Sequence, residues 1–302
     1  MTRPASICAL AALALLATAC GERQEPTGPI AQIYPVSVHG AGDRPTVVKQ
    51  RPERIVALDA GVTETLVAIG AGGRLVGVPD GMAKGSASKA VEVVRQTGQM
   101  DVDAVAGAKP DLIVATPNMD ELDVARAGRE ANAAVYVLPS NSISNVEEGT
   151  IDLGFLVGEA ARARQLVGKI EQQVAEVDDR LADVAPTSVF VDTGFFITAP
   201  ERSLLGDLVV RARGTNVAGE RPGPGPFPLA ALVRANPDVY LATSDAGVTI
   251  ASLKEHPQLT KLRAITKRRV EIVPVELVTR PGPRIGEGLM AVARALHPDA
   301  FR

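Results

Sequence analysis

"GAKPDLIVAT" (Gly107–Thr116) and "RANPDVYLAT" (Arg234–Thr243) follow one pattern: Ala-x-Pro-Asp, four apolar residues, then threonine. Their prolines stand 127 positions apart, about a domain's length. Proline bars the residue before it from the helical region and so ends a helix. The aspartate is expected to hydrogen-bond within the turn. The apolar quartet reads as a strand buried on both faces of a sheet. The threonine then falls at the strand's carboxyl end, where open α/β sheets carry ligand-facing loops. A single copy is a common helix–turn–strand joint, but two copies in corresponding places imply two similar lobes.

Outward from these joints, strands and helices alternate. "YPVSV" and "PTVVK" around "HGAGD" read as a β-hairpin. "RIVAL" (Arg54–Leu58) reads as a buried strand, followed by a helix with Val62, Leu66 and Ile69 on one face. Strands at "RLVGV", "DLIVAT" and "AVYVL" alternate with helices at "DVDAVAGA" and "LDVARAGREAN". From Val146 to Val184 there is no proline, and Phe155, Leu156, Ala160, Ala163, Val167, Ile170, Val174 and Leu181 recur at threes and fours. That spacing predicts one continuous helix of about 54 Å. After "APT" the alternation restarts and closes on an amphipathic helix in "PRIGEGLMAVARALHP". The expected fold class is α/β: lobes at 34–145 and 186–302, each a mainly parallel sheet flanked by helices, joined by one long helix over 146–185.

The composition narrows the function. In 302 residues the formal net charge is −3, which gives no strong basic field for nucleic acid. His39, His256 and His297 lie far apart, without metal-ligand spacing. Tryptophan is absent. Residues 1–19 read as a secretory signal: Arg3, an apolar run from Ile7 to Leu16, then small residues. The junction Leu16-Ala17-Thr18-Ala19-Cys20 is similar to a bacterial lipobox, with Ala17 where leucine is usual. Cys20 would then be the only cysteine of the mature chain and its lipidation site, with 20–33 a polar tether. An ordinary signal with a coincidental cysteine is the alternative.

Six stretches in order resemble one family, over Tyr34 to Pro298: "YPVSVHGAGDRPTVVKQRPERIVAL", "TETLVAIGAGGRLVGV", "DVDAVAGAKPDLIVA", "LLGDLVVRARGTNVAG", "ALVRANPDVYLAT" and "RPGPRIGEGLMAVARALHP". The family is the substrate-binding proteins of ABC importers for iron–siderophores, vitamin B12 and haem. The resemblance implies two lobes on a rigid helical connection, a ligand cleft between them, little closure on binding, and no catalysis and no cofactor. It also implies a monomer that docks on a permease with its ATPase. The leading expectation is capture of a ferric siderophore-type chelate, with cobalamin or haem as alternatives. An exported α/β hydrolase-like enzyme is the rival class, but no Gly-x-Ser-x-Gly elbow is present and no histidine neighbours a plausible nucleophile.

Mapped residue by residue, the resemblance places ligand contacts at Asp59, Ala60, Gly61, Pro79, Asp80, Thr116, Pro117, Asn118, Ser140 and Asn141 in the first lobe. In the second it places them at Thr193, Phe195, Phe196, Thr243, Ser244, Thr279, Arg280 and Arg284. Thr116 and Thr243 are expected to look at each other across the cleft. Asp59, Thr63 and Glu64 could instead serve the start of the following helix. If "GFF" is extended, only one of Phe195 and Phe196 can face the core, leaving the other to cover an apolar part of a ligand. Arg280 and Arg284 suit an anionic chelate, since guanidinium offers forked donors; solvated surface arginine is the alternative. For permease docking the family presents one acid on each lobe. Asp103 matches the first, and Ala230 stands where the second would be.

Overall fold

The computed structural model describes residues 32–42, 44–219 and 225–302. The signal, Cys20 and most of the tether lie outside these. The first lobe opens with an antiparallel hairpin of β1 (Val36–Val38) and β2 (Thr46–Val48). Then come β3 (Ile55–Ala57), α1 (Ala60–Ala68), β4 (Leu75–Pro79), β5 (Val91–Val94), α2 (Val102–Gly107), β6 (Leu112–Ala115), α3 (Glu121–Ala131) and β7 (Ala134–Val137). Its five strands form a parallel sheet in the order β5-β4-β3-β6-β7.

Two helices follow, α4 (Ile143–Val157) and α5 (Ala160–Leu181). The second lobe holds β8 (Thr187–Asp192), β9 (Ile197–Thr198), α6 (Leu204–Arg211), β10 (Gly214–Asn216), β11 (Gly225–Pro226), α7 (Leu229–Ala235) and β12 (Val239–Thr243). It ends with α8 (Ile250–Lys254), α9 (Arg263–Thr266), β13 (Val270–Val273), α10 (Val275–Val278) and α11 (Ile285–Leu296). Its parallel sheet runs β10-β8-β12-β13. The α/β class and the paired lobes are as expected.

Both quoted joints sit where their sheet reverses direction. The chain runs from β3 outward through β4 and β5, then returns to place β6 on β3's other side; β8, β10 and β12 repeat that move. The strand ends at such a switch point diverge and leave a crevice. The joint's aspartate does more than turn the chain. Asp111 accepts amide protons from Glu53 and Arg54 at 2.8 and 3.1 Å, at the entry of β3. Asp238 accepts the Ser188 hydroxyl at 2.6 Å, in β8. Each copy therefore ties its own strand to the first strand of its parallel sheet, a cross-strand bond rather than the within-turn bond expected.

The connection is also not one long helix. Gly158 takes a left-handed conformation (φ 74°) and caps α4, and α5 then folds back along α4. The carbonyls left open at the end of α4 are met from outside. Tyr34 donates to Leu156, and Arg74 to Val157, at 3.0 and 2.9 Å. Where the two helices cross, a Cβ on Gly154 would lie 2.4 Å from Ala163 Cβ. The first turns of α4 (Ile143, Val146) are buried in the second lobe's core and its last turns (Leu153, Leu156, Val157) in the first lobe's. Helix α5 makes the return journey, with Ala163 in the first core and Ile170, Val174, Val177 and Leu181 in the second.

A Cβ at position 158 would meet the left-handed penalty of roughly 1–2 kcal/mol. Gly158→Ala is therefore expected to lower unfolding free energy by about 1 kcal/mol in urea denaturation. Gly168→Ala, in α5 with open space around its Cβ, is expected to raise it by about 0.5–1 kcal/mol.

Candidate functional site

A cavity of about 1110 Å³ lies between the lobes. This is at or above the upper end of ordinary small-molecule sites, which run roughly 300–1,000 Å³. From the first lobe it is lined by Ala41 in the hairpin turn, Pro117 and Asn118 beyond β6, Pro139, Ser140 and Asn141 beyond β7, and Asn145 in the first turn of α4. The second lobe contributes Thr193 beyond β8, the segment Thr198 to Leu205 that leads into α6, Gly219, and Val278, Thr279 and Pro281. Among the described residues, Glu201 and Arg202 are the charged side chains of this lining. Its remaining polar side chains among the described residues are amides and hydroxyls, with no histidine, tyrosine, methionine or cysteine.

Six expected contact residues meet at this cavity: Pro117, Asn118, Ser140, Asn141, Thr193 and Thr279. The others are placed elsewhere, each for a visible reason. Asp59 caps α1, accepting from Gly61 N at 2.7 Å and Val62 N at 3.2 Å. Burial raises its carboxyl above the usual range, against the lowering pull of those amides and of Arg280. Ala60 and Gly61 lie under the loop before α11: a Cβ on Gly61 would stand 2.7 Å from Pro281 O, and one on Gly282 would stand 2.9 Å from Gly61 Cα. Only glycine allows the two lobes' backbones to touch there. Pro79 ends β4, and Asp80 is held to the end of β5 by its own amide on Val94 O at 2.8 Å.

Thr116 and Thr243 are each 2% exposed, and neither lines the cavity. Both hydroxyls are buried without a hydrogen-bond partner among the described residues. Instead of facing each other over a ligand, they end their strands inside the two lobes. Ser244 Oγ accepts the Val275 amide at 3.0 Å, at the start of α10.

The "GFF" stretch is not extended. Gly194, Phe195 and Phe196 all have positive φ, 119°, 54° and 60°. Phe196 packs on the core and edge-on to His256, with ring centroids 5.3 Å apart, while Phe195 is 90% exposed. Beneath this turn Asp192 accepts the Tyr240 hydroxyl at 2.5 Å and the Gly194 amide at 2.8 Å. Burial raises the Asp192 carboxyl, and burial beside Asp192 raises the Tyr240 phenol well above its usual value.

Arg280 and Arg284 both turn to Glu64 of α1, in the other lobe. Arg280 Nη1 donates to Oε1 at 2.9 Å, Arg284 Nη2 to Oε1 and Nε to Oε2 at 3.2 Å each. Glu64 thus serves as an interlobe counter-ion, a role not expected from its place one turn into a helix. A second carboxylate, Asp207 of α6, accepts from Ile143 N at 2.9 Å and occupies the positive end of α4. Two positive features beside the cleft are in this way matched by the protein's own acids, while Arg202 of the lining has no ion pair among the described residues.

The cavity-lining residues missed from sequence centre on Thr198–Leu205. Its one local signal was Ser203, which caps α6 by accepting from Gly206 N at 3.1 Å. Asn145 was missed because α4 begins at Ile143, capped by Ser142, earlier than periodicity suggests.

A two-lobed α/β protein with an interlobe pocket is the architecture of extracytoplasmic solute receptors, and the sequence matches accordingly. The periplasmic binding protein family model spans residues 55–276, and the chain belongs to that family. It is a substrate-binding protein and not an enzyme. An uncharacterized ABC transporter substrate-binding lipoprotein, YvrC of Bacillus subtilis, is 26% identical over 282 residues, covering 90% of this chain and 88% of the relative. A cobalamin-binding protein of Halobacterium salinarum is 27% identical over 281 residues, covering 87% and 74%. The periplasmic heme-binding protein RhuT of Roseiflexus, in apo form, superposes with a TM-score of 0.72 at 19% identity, covering 82% of this chain and 99% of that one. That last likeness speaks to the fold alone.

Leaving a buried hydroxyl without a partner costs about 1–3 kcal/mol, and valine fills nearly the same shape. Thr116→Val and Thr243→Val are each expected to leave stability unchanged or raise it by about 1 kcal/mol in urea denaturation. A loss above that size would mean the hydroxyl has a partner in solution.

Proposed function

We propose that this protein captures a bulky, uncharged metal chelate in its interlobe cleft, outside the cytoplasmic membrane, and delivers it to the permease of an ABC importer. The observation that carries the reading is the charge balance at the cleft: Arg280 and Arg284 are matched by Glu64, the α4 terminus by Asp207, and the described lining holds one acid, Glu201, for its one cation, Arg202. An anionic chelate would have to compete with these carboxylates. The amide and hydroxyl groups of Asn118, Asn141, Asn145, Ser140, Thr193 and Thr279 suit a ligand rich in neutral hydrogen-bonding groups. A corrinoid, with its ring of amide arms, fits this description, and the likeness to a cobalamin-binding relative favours it.

A ferric siderophore is the second reading, narrowed to the uncharged hydroxamate kind by the same charge matching. Haem is less well served, because the described lining offers no histidine, tyrosine or methionine to its iron. A bare metal ion would need a ligand cluster, and no group of three or more His, Cys, Asp or Glu is so placed among the described residues. Lipidation at Cys20 would hold the receptor at the membrane surface, in keeping with the lipoprotein name of the Bacillus relative.

Isothermal titration with cyanocobalamin, a ferric hydroxamate, a ferric catecholate and haemin tests the ligand class. One of the first two is expected to bind at micromolar concentration or tighter. Asn118→Ala and Asn141→Ala are each expected to weaken it about three- to tenfold. Tight binding of the catecholate or haemin alone would sink the reading.

Docking on the permease is assigned to Asp103. Its side chain is 89% exposed in the first turn of α2, with Arg126 Nη2 3.6 Å away. Its counterpart Ala230, exposed on α7, carries no charge, so one acid would serve where the family uses two. In vesicles carrying the cognate permease, Asp103→Lys is expected to cut uptake severalfold while ligand affinity of the free protein stays unchanged; unchanged uptake would remove Asp103 from the interface.

A further inference from the structure

Glu64 has an unusual position. It lies one turn into α1 in the first lobe, yet it accepts hydrogen bonds from two arginines in the second. Arg280 is flanked in sequence by Thr279 and Pro281, both of which line the cavity, and Arg284 stands at the head of α11. The Glu64 side chain is 19% exposed, whereas each arginine side chain remains more than one-third exposed. The hydrogen bond to Glu64 is the leading influence raising the Arg284 guanidinium's proton affinity, ahead of desolvation, which opposes it. The meeting is fixed by close backbone packing nearby. Three residues before Glu64, the Gly61 backbone rests on Pro281 and Gly282, so the α1 terminus cannot withdraw from the arginine loop without parting the lobes.

A carboxylate accepting three guanidinium hydrogen bonds at the edge of a ligand cavity imitates what an acidic ligand group would do there. We propose that Glu64 is the residue that sets charge selectivity: it stands in for an anion, and by occupying Arg280 and Arg284 it excludes anionic chelates from this end of the cleft. The proposal rests on the reading that the cleft takes an uncharged chelate. It adds the residue responsible and the direction in which selectivity should change. Two cations share one acid here, so removing that acid leaves a forked donor pair beside the cavity with no partner from α1.

The test compares the parent, Glu64→Gln, and Glu64→Gln combined with Arg280→Gln and Arg284→Gln. The probes are the trianionic ferric tris-catecholate and the uncharged-ligand probe cyanocobalamin, by titration calorimetry at low and high salt. Glu64→Gln is expected to bind the catecholate at least about tenfold more tightly than the parent, the gain shrinking with salt. The triple variant is expected to lose that gain, and cyanocobalamin affinity is expected to change less than about threefold, the scale of a single neutral hydrogen bond. A purely structural role for Glu64 would lower the melting temperature and create no new affinity. No gain in folded Glu64→Gln, a gain that survives loss of both arginines, or a parent that already binds the catecholate as tightly would each overturn the proposal. If Glu64→Gln fails to fold, Glu64→Asp keeps the charge but shortens its reach, and a smaller gain is expected; none would overturn the idea. Failure of the parent to bind either cyanocobalamin or a ferric hydroxamate would sink the function reading instead, and the catecholate comparison would still decide the role of Glu64.

Discussion

The cleft depends on a single packing arrangement: α4 and α5 each bury an apolar face in two cores at once. A hinge works when few contacts cross it, because those that do must be broken and remade. Here any change in interlobe angle would drag Ile143 and Val146 against one core and Leu153, Leu156 and Val157 against the other. Burying one such side chain contributes roughly 1.5–3 kcal/mol. The helix pair therefore acts as a double strut, and the Gly61–Gly282 contact with its Glu64 ion pairs braces the far side. The loops at the strand ends need not create the cleft; they only furnish it.

Much of this was legible from the two Pro-Asp joints, because helix termination, strand burial and switch-point topology are local or nearly local. Their aspartates were legible only as turn formers. The bonds from Asp111 to the entry of β3, and from Asp238 to Ser188, join residues 57 or 58 and 50 positions apart, and no sequence period announces them. The helix connection failed differently. Apolar spacing at threes and fours runs on through Gly158, so periodicity reads as one helix what a single left-handed residue divides into two.

The candidate site divides along the same line. The rule that ligand loops follow the carboxyl ends of parallel strands correctly nominated the ends of β6, β7 and β8 as cavity walls. It could not show that the end of β3 is covered by the other lobe, or that Ser244 is engaged by α10. Arg280 and Arg284 looked available because their partner stands more than two hundred residues earlier. Thr198–Leu205 was hidden for the opposite reason: β9 has two residues, too few for a pattern.

Helices shared between two cores have a consequence for how such a receptor would report its own state. A binder that clamps shut announces a captured ligand through its changed outline, and a partner can read occupancy from shape alone. With the lobes strutted by α4 and α5, the empty and loaded outlines would be nearly the same. The news of loading would then have to be carried by the ligand itself, through whatever portion it leaves showing at the mouth of the cleft.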